Sequence, residues 1–588
     1  MRHHKMAVCL VLAGAVIAAG LVWTYSPRGR PRLNVLLITL DTTRADHLGC
    51  YGAAVAKTAT LDALAERGVL FERAYAPVPL TLPSHAAMFT GLLPPEHGVR
   101  LNGAYRLDES IPTLAEQLSK AGYRTGGFIG AFVLDRQFGL NRGFDVYNDD
   151  LHGDRERTNG IAPAPGSHAP ADDGHDHKER PGAEVVDAAL AWLNDEPDEP
   201  FFCWVHVFDP HLPYLPHAEL FGSQFEDRPY DAELAYVDVQ VQRLVDFLKE
   251  TNAGEQTLVI IAGDHGESLG EHGEQTHGYT LYNATLHVPL IFSCPSLWKN
   301  KVRVSEPVSL VDLTPTVLEL LDLPSSSAHS GRSLAAAAAG RPFPSLPCYA
   351  ETLQPEYEAH WSPQFGLITE RWKYIRSPRR ELYDLQDDPR ELTNLAEHHP
   401  EKVEAFEAQL ADWESSMTPR DAPLAPLTPD AQRTLASLGY ASGNDGAMDA
   451  AQTGVDAGEN GPADIKDRIA YYNQYIAAVR LLHQGELEEA ASELQAVVAA
   501  VPDYFKAQYN LGVCLMRLKR YAEAAETFER AIEIDANPTA LVSLAKAKLS
   551  QNRPAEALAP LKQAQQLQPQ SEEIRFLLQD ARQGADER

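Results

Sequence analysis

A short apolar run that stops at an aspartate occurs three times in this chain. LNVLLITL (33–40) leads into Asp41, PFFCWVHVF (200–208) into Asp209, and TLVIIAG (257–263) into Asp264. Runs of this length, apolar on both alternating faces, fit buried parallel strands. GYRTGGFIG (122–130) and VPLIFSC (288–294) have the same character. Between them lie helical patterns at 113–122, 183–196 and 231–250. Strands alternating with helices predict an α/β fold with a mainly parallel central sheet covered on both faces. Ligands of such sheets gather at the carboxyl ends of the strands, where the three aspartates fall.

Asp264 is followed by His265, so two carboxylates and an imidazole are available at strand ends. That donor set suits one divalent ion, Zn²⁺, Mn²⁺, Mg²⁺ or Ca²⁺, without choosing among them. The segment APVPLTLPSHAAMFTG (76–91) opens a helix, and Thr81 has two readings there: an ordinary helix-starting residue, or a hydroxyl that completes the ion site and acts as nucleophile. GHDH at 174–177, inside the Gly/Pro/Asp/His-rich stretch 153–182, reads as a solvated loop.

Charge narrows the function. With 51 Lys+Arg against 82 Asp+Glu, the net charge of −31 argues against a nucleic-acid surface. An anionic substrate must then be drawn in by local positive charge or a bound cation. The six cysteines show neither a disulfide nor a zinc-knuckle spacing.

Both ends of the chain differ from its middle. Residues 7–23 are seventeen uninterrupted apolar residues, enough at ~1.5 Å each to approach a ~30 Å hydrocarbon core. They read as a membrane anchor or as a cleavable signal segment (1–32). The anchor reading makes the protein single-pass, with its catalytic part extracytoplasmic, periplasmic if the source is bacterial. Past a Pro/Ala/Gly/Asp-rich linker (416–465), copies of one pattern begin at Tyr471, Phe505 and Pro538. Each has a small residue at its twentieth position (Ala490, Ala524, Ala557) and a bulky one four later (Leu494, Phe528, Leu561). Small residues let paired helices approach, and stacked pairs bury a core that no single pair can bury. YNLGVCLMRLKRYAEAAETFERAIEID closely resembles the tetratricopeptide repeat, so 466–583 is expected to be all-α. Its groove then serves a protein or peptide partner, or the repeats serve packing or dimerisation.

ITLDTTRADHLGCYG (38–52), TLPSHAAMFTG (81–91), IAGDHGESLGEHG (261–273) and HGYTLYNATLHVPLIF (277–292) resemble, in order, the sulfatase family of the alkaline phosphatase superfamily. YDLQDDPRELTNLA looks like the end of that family's catalytic domain, so the resemblance spans about 33–415. It implies an alkaline phosphatase-like sandwich with a small C-terminal subdomain, and a metal-dependent hydrolase or transferase of sulfate or phosphate esters. It also implies metal ligation by Asp41, Thr81, Asp264 and His265. His211 and His277 become candidate substrate contacts and proton donors, and Asn102 a candidate contact to a non-bridging oxygen. Asp209, His211 and His277 holding a second metal is an alternative, and Arg44 and Arg100 are either anion contacts or salt-bridge residues.

The departures from the family are chemically pointed. Sulfatases place Cys or Ser in C/S-x-P-x-R, oxidised to formylglycine; here Thr81-Leu82-Pro83-Ser84-His85 stands there. The methyl on the Thr β-carbon forbids that aldehyde, and His85 replaces the arginine. Ala131 and Val133 fall where the family has a Lys and a His, and Thr42 where a second Asp often stands. Related branches of the superfamily attack through a threonine, which implies a covalent Thr81 ester and favours a phosphoester over a sulfate ester. The competing expectation is a catalytically inactive sulfatase-like scaffold whose repeats recruit partners.

Overall fold

The computed structural model describes residues 32–151, 179–195, 199–326, 328–428, 431, 434–435 and 461–586. The apolar run 7–23 and the GHDH stretch lie outside these residues. Among the described residues no helix is long and apolar enough to cross a membrane.

The strands run in chain order β1 (Asn34–Leu40), β2 (Val69–Phe71), β3 (Ala74–Tyr75), β4 (Arg124–Phe128), β5 (Val146–Asn148), β6 (Phe201–Val207), β7 (Thr257–Gly263), β8 (His287–Val288), β9 (Leu290–Ser293), β10 (Val302–Val304), β11 (Val308–Ser309), β12 (Cys348–Thr352), β13 (Gln364–Ile368), β14 (Trp372–Arg376) and β15 (Glu381–Asp384). Eight form the central sheet in the order β10-β2-β9-β7-β1-β6-β4-β5. β1 sits between β6 and β7, parallel to both, and β9 runs antiparallel to its two neighbours. All five apolar runs therefore become strands of one sheet.

Strand alternation sorts the side chains into two cores. Val35, Leu37, Trp204 and Ile260 join one, on the side of the helix Thr81–Thr90; Leu36, Ile38, Val205 and Ile261 join the other, under the helices Gly182–Leu193 and Pro229–Glu250. β12 to β15 form a separate antiparallel sheet. FGLITERWKYI forms the hairpin β13 to β14, ELYD is the fourth strand, and a helix follows at Pro400–Ser416.

The C-terminal region is three helix pairs and a cap: Ile469–Gln484 with Leu487–Ala500, Phe505–Arg517 with Tyr521–Ile534, Pro538–Ser550 with Pro554–Leu567, then Glu572–Asp586. Ala490, Leu494, Ala524, Phe528, Ala557 and Leu561 are all buried between helices. This helical body is packed against the catalytic part. Tyr472 lies over Tyr279 with ring centroids 3.9 Å apart, Trp361 meets Tyr504 at 5.1 Å, and Lys506 pairs with Glu358 at 3.0 Å. Tyr279, Trp361, Tyr472 and Tyr504 belong to one apolar cluster spanning both parts.

Candidate active site

The sheet register brings the two carboxylates together. β1 and β7 pair with Leu40 beside Gly263, so Asp41 and Asp264 leave adjacent strands at the same level. Thr42 then turns sharply at φ +44, an unfavourable conformation for a β-branched residue, and its amide donates to Asp264 Oδ1 at 3.2 Å. The Asp264 carbonyl accepts from the Ser84 hydroxyl at 2.6 Å, which fastens the helix Thr81–Thr90 over the strand ends.

Thr81 is the first residue of that helix and is 1 % exposed. Leu80 holds the capping position, so Thr81 is not the N-cap. Its Oγ1 lies 3.2 Å from His265 Nε2. His265 in turn sits 3.9 Å from Asp41 Oδ1 and 3.8 Å from Asp264 Oδ2. Nδ1 of His265 donates to the Gly266 carbonyl at 2.9 Å, which leaves the Nε2 lone pair facing Thr81 and the carboxylates.

These groups fit a divalent cation. Asp41, Asp264 and His265 offer donor atoms within 4.8 Å of one another, all fully buried. Asp41 Oδ1 and Oδ2 and Asp264 Oδ2 have no hydrogen-bond partner. Without a cation, burial pushes the Asp41 carboxyl up to about 8. Burial and the Asp41 charge together raise Asp264 well above the carboxylate range. Burial holds His265 well below its usual value, in the neutral form that ligates. Two buried carboxylates facing a bare imidazole nitrogen are a costly arrangement that a cation relieves. The Thr42 Oγ1, also buried and unpartnered, sits on the residue next to Asp41.

Beside His265 stand two further histidines, carried on loops. The His277 ring is 4.4 Å from that of His265 and 5.3 Å from that of His211. Nδ1 of His277 faces Glu267 Oε1 at 3.1 Å, and the Tyr214 hydroxyl donates to Glu267 Oε2 at 2.9 Å. Burial alone pulls the His277 imidazole down, but the charges of Glu267, Asp41 and Glu274 outweigh it and hold His277 up at about 9. His211 stacks on Phe208 at 4.4 Å and is tied by Nδ1 to the Leu212 carbonyl at 2.8 Å. Burial, helped by the His277 charge, brings it down to about 3. One histidine is thus a cation and the other neutral. Asn102 accepts from the Leu82 amide at 2.9 Å and keeps its buried Nδ2 unpartnered, beside the start of the Thr81 helix.

The remaining candidates have structural partners. Asp209 accepts from the Gly182 amide at 2.8 Å, at the first turn of the helix Gly182–Leu193. Among the described residues the only cluster of three metal-ligating side chains is Asp41, Asp264 and His265, so Asp209, His211 and His277 do not form a second one. Arg44 forks onto Asp46 and reaches Glu271, while Arg100 forks onto Glu351 at 2.6 Å. Both are the salt-bridge residues of the two sequence readings. Ala131 and Val133 are buried in the core. Glu267 and Tyr214 escaped the sequence reading, although DHGE carries the glutamate two residues past His265.

A mainly parallel α/β sheet with a buried hydroxyl and a group of side chains that could hold a cation at its strand ends fits the ester hydrolases of the alkaline phosphatase class. Residues 33–323 match the family model described as sulfatase, and residues 270–415 that described as N-sulphoglucosamine sulphohydrolase, C-terminal. This part of the chain is a sulfatase-family domain, a sulfatase-like ester hydrolase, and it is followed by tetratricopeptide repeats, matched over 477–540. The chain is 26 % identical to a delta 4,5-hexuronate-2-O-sulfatase of Bacteroides thetaiotaomicron, over 62 % of this chain and 84 % of the relative. It is 27 % identical to a choline-sulfatase of Rhizobium meliloti, over 63 % and 83 %. The fold is also that of a phosphonate monoester hydrolase of Agrobacterium radiobacter (TM-score 0.53, 24 % identity, 65 % of this chain and 96 % of the other).

Proposed function

We propose that this protein hydrolyses, or transfers the group of, anionic phosphate or sulfate esters with Thr81 as its nucleophile. The observation that carries the reading is the Thr81 hydroxyl, buried 3.2 Å from His265 Nε2 of the Asp41–Asp264–His265 group. Asp41, Asp264, His265 and Thr81 would hold a divalent ion, and such an ion would supply neutralisation of charge on the ester and a lowered pKa for the hydroxyl beside it.

The side chains account for the rest of the chemistry. The Thr81 helix fixes Oγ1 for in-line attack on phosphorus or sulfur, and Asn102 Nδ2 is free to bind a non-bridging oxygen. The His277 imidazolium, held by Glu267, attracts the anion and can give its proton to the departing oxygen; His211 lines the same side. The bond from Thr81 oxygen to phosphorus or sulfur forms as the bond to the leaving oxygen breaks. Water, or a second hydroxyl, then takes the group from Thr81 and regenerates it. Formylglycine can release sulfate by hemiacetal collapse, whereas a threonine ester must be displaced at phosphorus or sulfur. That supports a phosphate or phosphonate ester over a sulfate ester. The three unpartnered carboxylate oxygens support an active enzyme over a retired scaffold, which has no use for them.

The apolar run 7–23 supports membrane anchorage with the catalytic part outside the cytoplasm, and the repeats support a protein partner. The deciding experiment assays aryl sulfate, aryl phosphate and aryl phosphodiester side by side with wild type and Thr81→Ala. Phosphoester turnover is expected to exceed sulfate turnover and to fall at least ~10³-fold in the variant. Equal activity in the variant removes Thr81 as nucleophile.

A further inference from the structure

Thr42, the first residue past Asp41, sits in a conformation that its side chain resists, and a tyrosine from a distant helix meets it there. At φ +44 a β-branched residue is strained, so the turn 42–44 depends on the contacts that fix it. One is local: the Thr43 hydroxyl donates to the Asp41 carbonyl at 3.0 Å. The others come from Tyr230. Its hydroxyl donates to the Thr42 carbonyl at 2.7 Å and accepts the Arg44 amide at 3.0 Å. A carbonyl can only accept and an amide can only donate, so the single hydroxyl hydrogen has one assignment. The Arg44 guanidinium then reaches the Glu267 carbonyl at 3.2 Å, which ties the turn to the loop after His265.

The turn matters because it carries an amide that orients Asp264. Oδ1 of Asp264 accepts two backbone hydrogens, from Thr42 at 3.2 Å and from His265 at 2.7 Å. Oδ2 accepts none and lies 3.8 Å from His265 Nε2. The carboxylate is therefore aimed by the partners of Oδ1. The His265 amide is next to Asp264 in the chain, whereas the Thr42 amide is delivered by the turn alone. Tyr230 is itself well fixed. It is the second residue of the helix Pro229–Glu250 and is buried, with its ring edge-on to those of His47 at 5.1 Å and Tyr214 at 5.4 Å.

We propose that Tyr230 is a positioning residue for Asp264: its hydroxyl locks the Thr42 turn, and the Thr42 amide keeps Oδ2 turned into the cage. Outer partners that touch a ligand directly typically cost a metal site about 10–100-fold in affinity when removed. Tyr230 stands one residue further out. Loss of its hydroxyl should therefore cost less, about two- to twelve-fold, the equivalent of one hydrogen bond. The inference rests on reading Asp41, Asp264 and His265 as a cation cage, and its test separates the two ideas.

The test is calorimetric titration of Mn²⁺ alone into the chelator-stripped, full-chain protein. Wild type is expected to bind one ion. Tyr230→Phe, which keeps the ring, should bind it about two- to twelve-fold more weakly. The discriminating background is Thr42→Gly, because glycine adopts φ +44 without strain. There the clamp has little left to hold, so adding Tyr230→Phe should change affinity by less than about twofold. An equal loss in both backgrounds marks a contribution independent of the turn and overturns the proposal, as does wild-type affinity in folded Tyr230→Phe. Circular dichroism in excess chelator checks folding, and the double variant decides where Tyr230→Phe alone is unfolded. A folded double variant with the affinity of Thr42→Gly supports the positioning role, and an unfolded one overturns it while leaving the cage intact. A wild type that binds no ion overturns both.

Discussion

The carboxylates and the histidines of the site are held by different means. The carboxylate side hangs from the sheet: Asp41 and Asp264 end adjacent strands, and Thr81 is pinned to them through Ser84. The histidine side is carried by loops. His277 belongs to a segment braced internally by Glu274, which accepts the Tyr279 amide at 2.9 Å, and externally by the first repeat helix, where Asn473 donates to the Gly273 carbonyl and Tyr472 covers Tyr279. The first side is rigid by register, the second by docking of a separate helical body. Ion binding should therefore answer to changes in the sheet, and handling of the anion to changes as distant as the repeats.

The largest expected effect comes from breaking the carboxylate side. Asp264→Asn should lose more ion affinity than the about 10–100-fold typical of outer partners, and ester turnover with it. The same change should act in opposite directions on stability. In chelator it removes a buried carboxyl whose raised pKa costs stability at neutral pH, so the variant should melt above wild type. With Mn²⁺ present, wild type gains the binding free energy and the order reverses. Melting curves with and without chelator check both signs, and a variant that melts below wild type in chelator contradicts the strain attributed to the cage.

Next in size is His277→Ala, which should lower kcat/KM about 10²–10⁴-fold, the usual contribution of a proton-transferring group. Mn²⁺ affinity should stay near that of wild type. A parallel loss of ion affinity would merge the two sides into one and remove the contrast.

Glu267→Gln sharpens the same point through pH. Burial lowers the His277 pKa, and the charge and hydrogen bond of Glu267, joined by the charges of Asp41 and Glu274, more than restore it, to about 9. The cationic form is present below that value and lost above it, so kcat/KM should fall as pH rises through about 9. Without the Glu267 charge, burial prevails and the alkaline limb should move to lower pH. An unmoved limb would show that His277 is not the group titrating there.

What the sequence made legible follows the range of each interaction. Runs such as LNVLLITL and TLVIIAG announce strands through residues that are neighbours in the chain, and Asp264-His265 carries two candidate ligands side by side. Tyr230 stands just before the helical pattern 231–250 with nothing to mark it, because its partner Thr42 is brought beside it only by the fold, across 188 residues. Asp209 resembled Asp41 in ending an apolar run, and only the spatial return of the helix Gly182–Leu193 turns it into a helix-terminal acceptor. Thr81 allowed the helix-starting reading because a helix does begin there, and nothing local tells that role from a chemical one. Tyr472 and Tyr504 fit the packing pattern of the repeats, so nothing local distinguished residues that face a helix from residues that face another domain.

That last ambiguity gives the smallest prediction. Tyr472 belongs to the repeats by sequence, yet its ring lies 3.9 Å from that of Tyr279, two residues from His277. An aromatic pair of this kind contributes about 0.5–1.5 kcal/mol beyond its buried area. If part of that energy holds the His277 segment in place, Tyr472→Ala should raise KM for the anionic ester by up to about tenfold, with Mn²⁺ affinity unchanged. Tyr472→Phe, which keeps the ring, should behave like wild type. Hydrogen exchange over residues 273–280 should quicken in the alanine variant alone, since loosening this segment opens amides that docking protects. The physical content is that docking energy, spread over Trp361, Tyr504, Lys506 and Tyr472, reaches His277 through one short loop, whereas the carboxylates hang from the sheet and meet that loop only through the His265–His277 contact. An alanine variant with altered ion affinity and normal KM would reverse that assignment, making the repeats a support of the cage instead of the rim.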